Sequence, residues 1–261
     1  MSIIRSIIVS FSLYSRIPMP VFTWNEDDTK HAIAFLPLVG IVIGAVSYAV
    51  IRITEALDIP LLCRVLLLML TPVLITGGFH LDGFMDVQDA GNSYQDREKK
   101  LEIMKDPHVG AFAIISLSVL GLIWVCFLYL TMDSCMQAGT SLFMNLYCGM
   151  FFYVRALCGI GSICFSKAKK DGMLNMETKK SSRADIIFLI VQALLGAAFM
   201  VYTDLFAGSL TALILLVYLF IYKAKTGRLF GGVTGDTAGY FVVMGECIFL
   251  IILGVCRVIQ I

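Results

Sequence analysis

The sequence predicts an all-α fold: a polytopic integral membrane helix bundle of about seven transmembrane helices, preceded by a short N-terminal interfacial helix. Three observations carry this expectation. Of the 261 residues, 59% are hydrophobic and 15% charged, whereas soluble domains run nearer half apolar and a quarter charged. The apolar residues fall in runs near the roughly twenty that a helix needs to cross a bilayer. Lysine and arginine crowd into every second connecting loop, as the positive-inside rule requires. A net charge of +1 leaves no electrostatic footprint for nucleic acid. The eight cysteines stand singly, with no C-x-x-C pair, and read as small buried hydrophobes, neither a disulfide frame nor a zinc site.

The chain opens Met-Ser-Ile with no small-residue cleavage site, so no signal peptide is expected. Within residues 1–20, Arg5 and Arg16 flank an apolar stretch too short to span, which suits a helix lying in the interface. A polar hinge, WNEDDTK, leads into candidate spans at 33–54, 60–79, 111–131, 141–164, 186–203, 206–222 and 239–259. Together they make one integral membrane domain over 1–261. Gly40 and Gly44 form G-x-x-x-G, a spacing that lets two helices approach closely. Pro37 and Pro72 require neighbours to satisfy the freed backbone groups. The fifth and sixth spans are joined tightly around Asp204.

Arg5, Arg16 and Lys30 precede the first span, and Arg97, Lys99, Lys100 and Lys105 follow the second. Lys167, Lys169, Lys170, Lys179, Lys180 and Arg183 follow the fourth, and Lys223, Lys225 and Arg228 the sixth. The alternate loops hold Glu55, Asp58, Asp133 and Asp204, and only Arg52, Arg64 and Arg257 lie near those span ends. This places the N-terminus and basic loops in the cytoplasm and the C-terminus outside. Arg64 is expected to snorkel outward.

Two polar stretches then fall on the cytoplasmic side. Gly77–Gly91 reads GGFHLDGFMDVQDAG. On a helix starting near Asp82, Asp82, Asp86 and Asp89 lie at i, i+4 and i+7 on one face. Their mutual repulsion calls for a divalent cation, and such oxygen ligands suit Mg²⁺, which usually also takes substrate phosphates. The bland reading is an acidic first helical turn. Gly231–Thr237 reads GGVTGDT; its glycines let backbone N–H groups face an anion, and a helix beginning after Asp236 adds a positive dipole end. A flexible turn capped by Asp236 or Thr237 is the alternative. Arg155 and Glu246 lie within spans, where charges are costly and so functional or paired. Either Arg155 faces phosphate or it pairs with Glu246.

GGFHLDG followed by D-x-x-D resembles the signature of the cobalamin synthase family, the adenosylcobinamide-GDP ribazoletransferases. FLPLVGIVIGA (35–45) and GGVTGDTAG (231–239) are similar to an early span and a late glycine-rich motif of that family; SRIPMP (15–20) and KDPHVGAFA (105–113) match more weakly. The resemblance implies a transferase of the bacterial or archaeal-type cell (inner) membrane that joins adenosylcobinamide-GDP to α-ribazole or its 5′-phosphate and releases GMP. It implies Mg²⁺ on Asp82, Asp86 and Asp89, with Asp236 completing the shell and His80 or one of these aspartates as general base. Gly231, Gly232, Thr234, Gly235, Thr237, Arg155, Lys105 and Lys169 would hold phosphates, with Asp106 and Glu246 in support. Lys169 and Lys170 stand where the family usually has arginine and proline, which exchanges a bidentate fork for a point charge. The expected partners are the two substrates and membrane lipid, with homo-oligomers allowed. Two other classes fit parts of the pattern. A CDP-alcohol phosphotransferase also carries Asp-Gly, but its D-G-x-x-A-R is absent; an ion-coupled transporter places its acids near the bilayer midplane.

Overall fold

The computed structural model describes residues 3–24, 26–140, 142–169 and 172–259; Lys170 and Asp171 lie outside them. The described residues are helical apart from connections, and their one β feature is an isolated parallel bridge between Lys167 and Val233. The chain runs through α1 (Ile3–Tyr14), α2 (Glu26–Thr29), a 3₁₀ turn (Ala32–Phe35), α3 (Leu36–Ala56), α4 (Leu61–Thr76), α5 (Phe79–Asn92) and α6 (Arg97–Ile103). It continues through α7 (Ala111–Gln137), α8 (Leu142–Cys164), α9 (Met173–Thr178), α10 (Arg183–Thr203), α11 (Leu205–Phe230) and α12 (Gly235–Val258).

Six helices, α3, α7, α8, α10, α11 and α12, are long and apolar enough to cross a membrane. The second expected span divides instead. α4 has 16 residues, about 24 Å of helix, and α5 departs from it at 93°. We read α4 as a short seventh span. α5 carries three aspartates and a glutamine, too polar for hydrocarbon, and it leads to the basic end of the bundle. The acidic helix therefore starts at Phe79, three residues before the expected Asp82. Likewise α7 and α11 outrun their expected spans, to Gln137 and Phe230, and α12 starts early at Gly235.

Close packing organises the bundle around α8, whose Tyr147, Phe151 and Arg155 are among the largest fully buried side chains. The G-x-x-x-G expectation holds. A Cβ on Gly40 would sit 2.4 Å from the Phe151 carbonyl oxygen, and one on Gly44 2.3 Å from that of Cys148, so α3 lies backbone to backbone on α8. Pro37 falls in the first turn of α3, where no intrahelical N–H is needed. At one end of the bundle, Asp204 closes the α10–α11 hairpin: its carboxylate accepts the Ala207 amide at 2.7 Å and the Arg257 guanidinium at 3.3 Å. Arg64 does not snorkel. It is buried and donates to the Ile59 carbonyl at 2.6 Å.

At the opposite end α1, α5, α6, α9 and the starts of α7, α10 and α12 gather. The Tyr14 hydroxyl donates to Glu177 at 2.9 Å, and Val233 pairs with Ser166 and Ala168. All the basic loops and polar motifs thus share one end.

Gly44→Leu should separate α3 from α8 and destabilise the protein, with overpacking costing about 1–3 kcal/mol or more. Gly91→Ala, where a Cβ meets nothing within 4 Å, should not. Thermal unfolding of detergent-purified variants measures both; equal melting temperatures would exclude the α3–α8 contact.

Candidate active site

The break after α4 is made by glycine. Gly77 and Gly78 take φ of 67° and 80°, left-handed conformations that cost other residues strain, and they turn the chain into α5. α5 then crosses the start of α12 at the closest range helices allow. A Cβ on Gly83 would lie 2.7 Å from the Asp236 carbonyl oxygen, and one on Gly239 would lie 2.9 Å from that of His80. Phe84 and Tyr240 stack beside this crossing with centroids 5.9 Å apart. Because Gly83 faces Asp236, its neighbour Asp82 and Asp236 open into the same space.

That space is a cleft of about 780 Å³ walled by α5, the α6–α7 connection, Lys169, Gly172, Leu174 and Asn175, and the first turn of α12. Asp82 and Asp236, Lys105 and Lys169, and Thr234 and Gly235 all line it. α12 begins here with a capping box: the Thr234 hydroxyl accepts the Thr237 amide, and the Thr237 hydroxyl accepts the Thr234 amide at 2.8 Å. The positive end of the α12 dipole therefore faces the cleft. The arrangement suits a polyanion: amides and two ammonium groups for phosphate oxygens, and two carboxylates for a cation riding on them.

The glycine-rich motif divides its labour. Thr234, Gly235 and Asp236 line the cleft. Gly231 instead ends α11 at φ 77° beneath the Arg97 guanidinium, whose Nε donates to the Phe230 carbonyl at 2.8 Å. Gly232 fits where a side chain would strike the Ser166 carbonyl. The Thr237 hydroxyl is buried against that of Tyr222 at 3.0 Å. These three build the loop and do not line the cleft.

The acidic face also divides. Both oxygens of Asp89 accept amides from the start of α7, Gly110 at 2.7 Å and Ala113 at 2.8 Å, so it caps a helix across the chain. Asp86 lies between. Burial first, then the charges of Asp82, Asp236 and Asp89, raise its pKa from 3.8 to about 7. Among the described residues no three His, Cys, Asp or Glu side chains converge on one metal position. Asp82 and Asp236 still fit Mg²⁺, which usually takes one or two carboxylates and completes its shell with water and substrate phosphates. Lys169 has a lowered pKa, through burial and then Lys105, opposed by Asp236; its Nζ donates to the Leu101 carbonyl at 3.2 Å.

Three expected participants stand elsewhere. Arg155 is 1% exposed and donates to Glu246 at 2.7 Å and to the Phe151 carbonyl at 3.2 Å. Of the two readings of Arg155, the ion pair is the one observed, and the phosphate role is corrected. His80 is buried beside that pair in a separate cavity of about 80 Å³. It does not line the cleft, and neither does Asp86, so of the expected bases on α5 Asp82 is the one that opens into it. Asp106 is exposed and accepts the His108 amide at 2.9 Å and contacts its imidazole at 2.6 Å. Conversely, Phe79, Leu174 and Asn175 line the cleft without having been expected there. Phe79 adjoins the Gly-Gly break, which was a usable signal; α9 carried none.

Residues 6–254 match a family model described as cobalamin-5-phosphate synthase. A Lachnoclostridium phytofermentans protein named adenosylcobinamide-GDP ribazoletransferase is 36% identical over 247 residues, 93% of this chain and 90% of its own length. Proteins of the same name from Clostridium perfringens and Listeria monocytogenes are each 30% identical, over 96% and 95% of this chain and 98% of their own lengths. No solved structure matches the chain.

The raised pKa of Asp86 has a signed consequence. Its proton is held more tightly in the fold than in the unfolded chain, so its favourable contribution is complete below about pH 4 and disappears as pH rises through about 7. In metal-free protein, melting temperature should therefore fall more between pH 5 and 8 than it does in Asp86→Asn. Parallel profiles would mean that Asp86 ionises as an ordinary surface carboxylate.

Proposed function

This chain belongs to the cobalamin-5-phosphate synthase family, and we propose that the cleft between α5 and α12 is where it performs the transfer for which its relatives are named. The chain is an adenosylcobinamide-GDP ribazoletransferase. It joins the cobinamide phosphate to a ribose hydroxyl of α-ribazole, or of its 5′-phosphate, and releases GMP. The observation that carries the assignment to this cleft is the meeting of Asp82, Asp236, Lys105 and Lys169 at the start of α12.

In this reading the donor's pyrophosphate lies across the first turn of α12. The Gly235 amide and the helix dipole face its oxygens, and Lys105 and Lys169 neutralise charge as it moves to the leaving GMP. A ribose oxygen attacks the phosphorus bearing cobinamide, and a new P–O bond forms. The bond from that phosphorus to the bridging oxygen breaks, and the bridging oxygen departs with GMP. The ribose proton passes to a carboxylate; Asp82, which lines the cleft, is placed to accept it, with Asp86 one helical turn further along α5. Mg²⁺, held by Asp82 and Asp236, would supply charge neutralisation on the pyrophosphate. With little covalent work left to the protein, positioning dominates.

The alternatives lose ground for stated reasons. A transporter would hold its acids near the bilayer midplane; here Glu246, inside α12, is paired with Arg155, and Asp82, Asp86 and Asp236 lie at one end of the bundle. The positive-inside rule supports a cytoplasmic site, with the start of the chain on the same side and its end outside.

Purified protein given adenosylcobinamide-GDP, α-ribazole and Mg²⁺ should release GMP in step with ribazole consumption. Lys169→Ala should lower kcat/KM by about tenfold or more, the scale of a charge-assisted phosphate contact. Asp106→Asn, outside the cleft, should leave it within twofold. Equal effects of the two changes would place the pyrophosphate elsewhere.

A further inference from the structure

A second cleft, of about 610 Å³, adjoins Asp82 where the loop after α1 meets the α4–α5 break. It shares only Phe79 and Asp82 with the phosphate cleft, so these two side chains form a common lip. Its wall mixes apolar groups, including Leu81 and Met85, with the hydroxyls of Ser12 and Ser15 and one cation, Arg16.

Arg16 is built into this wall. Its amide donates to the Ile75 carbonyl at 2.8 Å, which ties the loop after α1 to the last turn of α4. Its side chain lies directly on Gly77, where a Cβ would sit 2.4 Å from Cγ and from Nε. Glycine at this break therefore serves a second purpose, making room for the arginine stem. The guanidinium is exposed and, among the described residues, has no hydrogen-bond or ion-pair partner. A fixed, unpaired guanidinium in a half-apolar cleft is suited to a planar ligand that ends in phosphate.

We propose that this cleft holds the acceptor, with Arg16 binding the 5′-phosphate of α-ribazole 5′-phosphate, the flat base against Phe79, Leu81 and Met85, and the ribose at the lip. The proposal rests on the reading above and adds to it a place for the acceptor and a specificity residue. Its geometry follows from the two clefts. The donor's phosphorus in one cleft and the acceptor's hydroxyl in the other both come to Asp82, the side chain that the two clefts share. The cleft volume lies within the range usual for small-molecule sites. SRIPMP, the motif containing Arg16, thereby gains a function that the phosphate cleft does not give it.

The test is steady-state GMP release with α-ribazole 5′-phosphate and with α-ribazole, at saturating donor. In Arg16→Gln the KM for the phosphorylated acceptor should rise about tenfold or more. Its kcat, the KM for unphosphorylated α-ribazole and the KM for donor should stay within about twofold. Arg16→Lys should recover part of the loss. Equal weakening of both acceptors, or a rise in donor KM alone, would overturn the subsite. So would unchanged kinetics together with loss of co-purifying anionic lipid, which would make Arg16 a headgroup ligand. Release of GMP that ignores Arg16 removes the subsite alone, whereas no release by the unaltered protein removes the subsite and the underlying reading together.

Discussion

The site depends on one contact, the crossing of α5 over the first turns of α12, where Gly83 and Gly239 let two backbones meet. Any side chain at Gly83 would have to displace the Asp236 backbone. Without that approach Asp82 and Asp236 would be two ordinary surface acids. With it they face one cleft, beside a helix dipole and two lysines. The break at Gly77–Gly78 exists to deliver α5 to this position, and its polarity forbids α5 from simply extending α4 through the bilayer.

Charges in this chain follow a division between framework and chemistry. Asp89, Asp204 and Arg97 complete helix ends, and Arg155 and Glu246 neutralise each other inside the bundle. Removing one member of such a buried pair leaves an uncompensated charge, a loss of about 3–5 kcal/mol. A kinetic effect of an Arg155 variant would therefore report on folding before chemistry. On α5 and around the two clefts, the Asp82, Asp86, Lys105 and Arg16 side chains have no hydrogen-bond or ion-pair partner among the described residues.

Much of this was legible in the sequence, because bilayers permit few solutions. Long apolar runs gave the span count, lysine and arginine gave the common end of the motifs, and Gly40 and Gly44 gave the α3–α8 contact. Asp82, Asp236, Lys105, Lys169, Thr234 and Gly235 were expected to share a site, and they line one cleft. What stayed hidden depends on long-range geometry. Nothing near Asp89 reveals that its amide partners lie 21 and 24 residues later. The sequence offered the pairing of Arg155 with Glu246 as one of two readings, and choosing it needs α8 and α12 to be neighbours. The α4–α5 break was obscured because apolar residues run unbroken up to Gly77, and Gly-Gly alone does not fix a turn angle.

The central claim is that two carboxylates from separate helices act as one site on a metal-bearing pyrophosphate. A double-mutant cycle with Asp82→Asn and Asp236→Asn, read as kcat/KM for GMP release across a Mg²⁺ titration, tests it most directly. The account predicts that each single change raises the Mg²⁺ needed for half-saturation and that the double variant is little worse than either single. Losses that multiply independently, with an unchanged Mg²⁺ requirement, would show that the two aspartates share no ligand and that the cleft between α5 and α12 is not the reacting centre.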